Sequence, residues 1–223
     1  MTNQTTPPSS DVIPLPVAAT EQGDFGFIGR DSEMHTLERA LQQQSQAGLV
    51  VHGIAGVGKT TLIQGYLQWL QQSGELKANI FWFRFDEIRS FEFVLNQMVE
   101  GLFGANVLAS SMKQKMDNLC QVFIQNSFIL VWDNFESANG TSDMNAMPLL
   151  SDEDRAQFKI FLQRLHDGKT KVIIASYSPE KWLSETECNR LPLGGLRDKD
   201  CRQYCDAVAR HFDIVLDEDD PAY

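Results

Sequence analysis

Residues 53 to 60 read GIAGVGKT, with glycines at 53, 56 and 58 ahead of a Lys-Thr pair. The pattern G-x-x-x-x-G-K-[ST] suits one chemistry, the cradling of a phosphate chain. Glycines let the backbone turn so that successive N–H groups face one anion, and a helix beginning within the loop adds its dipole. Gly53, Ala55, Gly56, Val57 and Gly58 would form the cradle. Lys59 would reach the β- and γ-phosphates, the Thr60 hydroxyl would ligate Mg²⁺, and Thr61 could touch the α-phosphate. The expected ligand is a nucleoside di- or triphosphate.

A second stretch, FILVWDNFE at 128 to 136, is an apolar strand ending in an acid. Beside a phosphate loop, Asp133 is placed to serve the same Mg²⁺ as Thr60. The position after it, where a catalytic glutamate would polarise the attacking water, holds Asn134, which cannot accept a proton. Glu136 is the candidate substitute. A well-placed base is worth about 10²–10⁴ in rate, so firm binding and slow turnover are expected.

These residues need a scaffold, and the apolar periodicity supplies one. Asp31 or Ser32 can cap a helix running to about Ala47 and stopping at Gly48. Strands are predicted at 49–51, 79–85, 128–133 and 171–176, with a short fifth in CNRLPL at 188–193. Helices are predicted in KTTLIQGYLQWLQQ, SFEFVLNQMVEGLF and SMKQKMDNLCQVFIQN. Ser151 and Asp154 resemble a capping box opening a helix that ends at Gly168, and RDKDCRQYCDAVARHF is a last helix. Strands alternating with helices predict an α/β fold of three layers: a central, mostly parallel five-stranded sheet with helices on both faces. Ligands then sit at the C-terminal ends of the strands, where both motifs fall.

The chain divides into a disordered leader or linker at 1–24, a nucleotide-binding domain at 25–196, and a helix with an acidic tail at 197–223. A polar loop is expected at 137–150. The formal charge of −11, from 19 basic and 30 acidic residues, argues against a broad nucleic-acid or anionic-membrane surface. No stretch approaches the ~20 apolar residues of a membrane span, and the N-terminus carries no secretory signal. Four cysteines without a framework spacing point to a reducing cytoplasm. Cys201 and Cys205, one helical turn apart and followed by His211, read as two buried structural thiols rather than a metal site. The aromatics of FWFRF read as sheet packing, and Arg84 as a partner of Asp86 or a solvated residue.

FIGRDSEM, GIAGVGKTT, FILVWDNFE and KVIIASYSPE occur in the order and about the spacing of the STAND nucleotide-binding domains. Over roughly residues 25 to 210 the chain resembles their NB-ARC-like branch, found in death-signalling adaptors, plant resistance proteins and bacterial regulators. The resemblance implies that Phe27, Ile28 and Arg30 lie against the adenine and ribose. The plainer alternative is a hydrophobic staple and an exposed arginine at a helix start. It also implies a switch, in which ADP holds a closed monomer and ATP opens it to oligomerise and activate an attached effector in signalling or defence. LPLGGLRDKDCRQYC resembles the family's link to a further helical subdomain, or is a glycine turn before an ordinary helix. One departure stands out: where the family ends its fourth strand in a polar residue and an arginine, this chain has Ser176-Tyr177, with Ser176 as the remaining candidate contact. The chain reads as a fragment of a longer protein carrying effector and sensor domains. Two rivals remain, an AAA+-like motor or loader ATPase and a scaffold that keeps nucleotide without hydrolysing it.

Overall fold

The computed structural model describes residues 27–214 apart from 44–45, 87, 89 and 137–149. The expected leader, most of the polar loop after Glu136 and most of the acidic tail fall outside those residues. The elements run α1 (Asp31–Gln42), β1 (Gly48–His52), α2 (Lys59–Gln72), β2 (Asn79–Arg84), α3 (Phe91–Phe103), α4 (Met112–Gln125), β3 (Phe128–Asp133), α5 (Asp152–Arg164), β4 (Lys171–Ser176), β5 (Cys188–Pro192) and α6 (Asp198–His211). The five strands form one sheet in the order β2-β3-β4-β1-β5, and every pairing in it is parallel. β4 therefore lies between the strand that leads into the phosphate loop and the strand that carries Asp133.

Alternation along each strand splits the core in two. Leu49, Val51, Ile129, Val131, Ile173 and Ala175 face α1 and α2. Val50, Phe81, Phe83, Leu130, Trp132 and Ile174 face α3, α4 and α5. The second layer is rich in aromatic rings. Phe158 of α5 packs edge-on against Trp132 and Phe91, with ring centroids 4.8 Å apart in both pairs. FWFRF does pack as expected: Phe81, Phe83 and Phe85 are buried. Arg84 pairs with Asp86 at 3.4 Å, and both are exposed.

Helix starts follow the sequence signals closely. Ser90 caps α3, and capping boxes open α4 at Ser111–Gln114 and α5 at Ser151–Asp154. Asp154 also accepts from the Phe91 N–H at 2.8 Å, which ties the first turns of α3 and α5 together. Five expectations are corrected. α1 is capped by no side chain; Arg30 occupies its N-cap in the left-handed region, φ 69°. The helix ends at Gln42 rather than near Ala47, because Lys171 takes up the carbonyls of Gln43 and Gln46 at 2.7 and 2.9 Å. Gly48 is a strand residue, and its hydrogen makes room for Cys188: a Cβ there would stand 2.2 Å from the sulfur. α5 likewise ends at Arg164, with a turn to Gly168 where the backbone passes close to Ile124. Cys201 and Cys205 are exposed rather than buried: residues 201–205 of α6 are all exposed, and the helix is covered only further along, at Ala209. No helix among the described residues is long and apolar enough to cross a membrane.

Phe158 touches four other aromatic rings of this layer and is fully buried. Phe158→Ala should cost about 3–5 kcal/mol in a urea titration; a loss below about 1 kcal/mol would mean that the layer collapses into the space.

Candidate functional site

The loop between β1 and α2 is set by conformation that only glycine adopts easily. Gly56 and Gly58 have φ of 75° and 94°, and a Cβ on either would meet no atom within 4 Å. Glycine is needed there for the backbone angle, and the space in front of the loop is open. Gly53 differs, because a Cβ would stand 2.4 Å from the Leu193 carbonyl. Its N–H donates to the Ser176 carbonyl at 3.2 Å, so the tips of β1 and β4 are joined. α2 begins at Lys59 with Gly58 as its N-cap, no side-chain cap and no acid in its first turn. The first amides of a helix have no partner within it.

Lys59 is 8% exposed and donates to the carbonyls of Gly53 and Ile54 at 3.0 and 3.3 Å. Its ammonium is 4.0 Å from Glu136 Oε1. The Thr60 hydroxyl donates to Asp133 Oδ1 at 2.8 Å. That bond joins the first turn of α2 to the tip of β3, two strands away from β1. Hydroxyl and carboxylate oxygens are the donors a hard cation such as Mg²⁺ takes, so the pair fits that ion. Burial raises the Asp133 pKa against the Thr60 hydroxyl, the Asn134 N–H, Arg84 and Trp82, which pull it down.

Asn134 sits in the left-handed region, φ 54°, with its N–H on Asp133 Oδ1 at 3.0 Å. Asn tolerates that conformation better than most residues. The kink sends buried Phe135 to the Ala175 carbonyl at 2.9 Å and brings Glu136 round to the loop. Glu136 Oε2 accepts from the Tyr177 N–H at 3.2 Å. Lys59, Thr60, Asp133 and Glu136 thus converge, with Ala55 and Thr61 exposed at the rim.

Ser176 stands apart from the expectation. It is fully buried and its hydroxyl donates to Glu180, so the group it turns to the loop is its carbonyl. Arg30 is neither exposed nor free to reach outward. At 6% exposure its guanidinium holds the Val57 carbonyl at 3.0 Å, Glu33 at 3.1 Å and the Gly195 carbonyl at 3.5 Å. It braces the outside of the phosphate loop. Phe27 lies on Gly65 of α2, where a Cβ would come within 2.5 Å of the ring. Phe27, Ile28 and Gly29 face Gln203, Ala207 and Arg210 of α6 across an open cavity of about 670 Å³.

Three contributors had little signal in the sequence. Asp200 of α6 packs on Gly29 and accepts from the Arg30 N–H at 3.4 Å. Glu33 is an i,i+3 partner of Arg30, a spacing that could have been noticed. Glu180 is 2% exposed and follows Ser176 by four residues in a loop, where no periodicity marks it.

Residues 30–161 match the family model described as NB-ARC domain. An uncharacterized WD repeat-containing protein of Nostoc sp. is 24% identical over 193 residues, which are 79% of this chain and 15% of that protein. Among solved structures, the Aeropyrum pernix ORC2 protein in its ADPNP-ADP complexes superposes with a TM-score of 0.59 at 13% identity, over 81% of this chain and 52% of that one. Drosophila ORC bound to DNA gives 0.55 at 17% identity, over 75% and 43%. The chain spans about half the length of the archaeal structure and a small part of the Nostoc protein. At such identities the structural likeness shows the shared fold.

The raised pKa of Asp133 has a consequence for stability. A carboxyl whose pKa is higher in the fold than in the unfolded chain destabilises the fold once pH exceeds both values, and not below both. Asp133→Asn keeps an oxygen for Thr60. It should raise the Tm of the nucleotide-free protein at pH 7, with the gain shrinking as pH falls through the raised value and vanishing below the ordinary one. Scanning calorimetry at several pH values checks this, and a lower Tm at pH 7 would contradict it.

Proposed function

We propose that this chain, which belongs to the NB-ARC family and is therefore a P-loop NTPase domain, works as a slow ATP/ADP switch. The observation that carries the reading is the Thr60–Asp133 hydrogen bond, which brings the two motifs to one point. In this reading Lys59 binds the β- and γ-phosphates, and the amides of Gly56 to Thr61 bind the phosphate oxygens. Thr60 and Asp133 hold Mg²⁺, which offsets the charge on the phosphate oxygens. Phe27 and Ile28 take the adenine side, in keeping with the cavity they wall.

Glu136 is the proposed base: it accepts a proton from water as the water oxygen bonds to the γ-phosphorus and the bond to the ADP oxygen breaks. Asn134 cannot take its place, and Tyr177 brings no positive charge to the tip of β4. Slow turnover suits a switch, in which the γ-phosphate biases two arrangements of the chain. Self-association through this domain, attached effector and sensor domains, a role in signalling or defence, and a cytoplasmic setting complete the proposal. α6 is the proposed start of a following helical subdomain.

A motor or loader ATPase shares the fold, as the ORC structures illustrate. The charge of −11 disfavours DNA as this chain's partner. Turnover separates the readings: about tens per second would favour the motor, a few per hour the switch, and none the scaffold.

Two measurements test the switch. Protein purified without added nucleotide and then denatured should release ADP, and Lys59→Ala should release none; equal release from both would refute the phosphate-loop assignment. Glu136→Gln should slow hydrolysis about a hundredfold while ADP affinity stays within about twofold, because Gln cannot take the proton. An unchanged rate would remove Glu136 from the chemistry.

A further inference from the structure

Where the family's fourth strand would carry a cation, this chain has a buried carboxylate network beneath a single outward N–H. Glu180 is 2% exposed and sits in the left-handed region, φ 47°. Its Oε1 accepts from the hydroxyls of Ser176 and Ser178, the latter at 2.8 Å, and its Oε2 from the Trp182 indole N–H at 2.6 Å. The Glu180 carbonyl accepts from the Leu183 N–H at 2.9 Å, and Arg190 donates to the Pro179 carbonyl at 2.9 Å. A carboxylate this buried is tolerated only when its oxygens are satisfied. The same bonds fix the turn that leaves β4.

The turn presents one group to the site. The Tyr177 N–H, whose residue is 49% exposed, donates to Glu136 Oε2 at 3.2 Å. The other oxygen of Glu136 faces Lys59. Glu136 is therefore gripped on one side by a charge that a phosphate would compete for, and on the other by an amide that no ligand needs to displace.

We propose that the main-chain N–H of Tyr177, held in place by the Glu180 network, is the positioning group for Glu136. When a triphosphate draws Lys59 away, the amide keeps the carboxylate oriented for the attacking water. The positional role falls to the backbone, so the identity of the side chain at 177 matters little. This rests on Glu136 acting as the base.

Tyr177→Pro removes the N–H, and Tyr177→Ala keeps it. Single-turnover hydrolysis by the proline variant should run at least about tenfold slower than by the alanine variant, the worth of one hydrogen bond to a charged group. ADP affinity should agree within about twofold between them. Equal rates would overturn the proposal, as would an alanine variant as slow as the proline one. Should the proline variant fail to melt cooperatively, hydrogen exchange decides. The Tyr177 amide should exchange about tenfold faster in Glu136→Ala than in the wild type, and an unchanged rate would overturn the assignment. Failure of the underlying reading looks different: Glu136→Gln would then hydrolyse ATP as fast as the wild type, and the positioning role would fall with it.

Discussion

Lys59 carries a positive charge into a place where it is 8% exposed and its nearest partners are carbonyls of its own loop. Burying an ion costs of order several kcal/mol unless its surroundings compensate. The loop does so by turning the Gly53 and Ile54 carbonyls toward the ammonium. That turn requires the positive φ of Gly56 and Gly58. Arg30 then keeps the Val57 carbonyl from relaxing back. A charge held by weak dipoles, with one carboxylate at 4.0 Å among the described residues, is matched to an incoming anion.

The sheet order supplies the second half of the site. Because β4 separates β1 from β3, Asp133 stands across from the loop rather than beside it, and Thr60 can bridge the span with one hydroxyl. The left-handed turn at Asn134 then decides which acid faces Lys59. A residue directly after Asp133 is committed to the kink, and the chain returns to the site only at Glu136. In the proposed reading, Glu136 supplies the carboxylate that a D-E pair would carry directly after Asp133.

Much of this was legible in the sequence, for reasons that differ by element. The parallel sheet followed from five apolar runs separated by helical spacing, and the Ser151–Asp154 capping box announced its helix. The phosphate loop was readable because its glycines answer a backbone demand that few other residues meet. α1 was misjudged at its end because the stop signal is Lys171, 128 residues along the chain from Gln43. Cys201 and Cys205 were placed inside because thiols are usually buried, whereas the stretch of α6 from 201 to 205 is exposed throughout. Arg30 and Ser176 were placed at the ligand by resemblance; the sequence did not show that the Arg30 guanidinium holds the Val57 carbonyl or that the Ser176 hydroxyl donates to Glu180. Such assignments depend on which way a side chain turns, and local spacing carries no record of that.

Arg30 also has a mechanical meaning. Its main chain leans on Asp200 of α6, while its side chain grips the phosphate loop and reaches the Gly195 carbonyl. The first and last described elements are therefore stitched together at one residue beside the loop, outside the ladder of the sheet. A tug applied along α6 would strain this stitch before it sheared any strand, so the loop would feel tension while the core stayed intact.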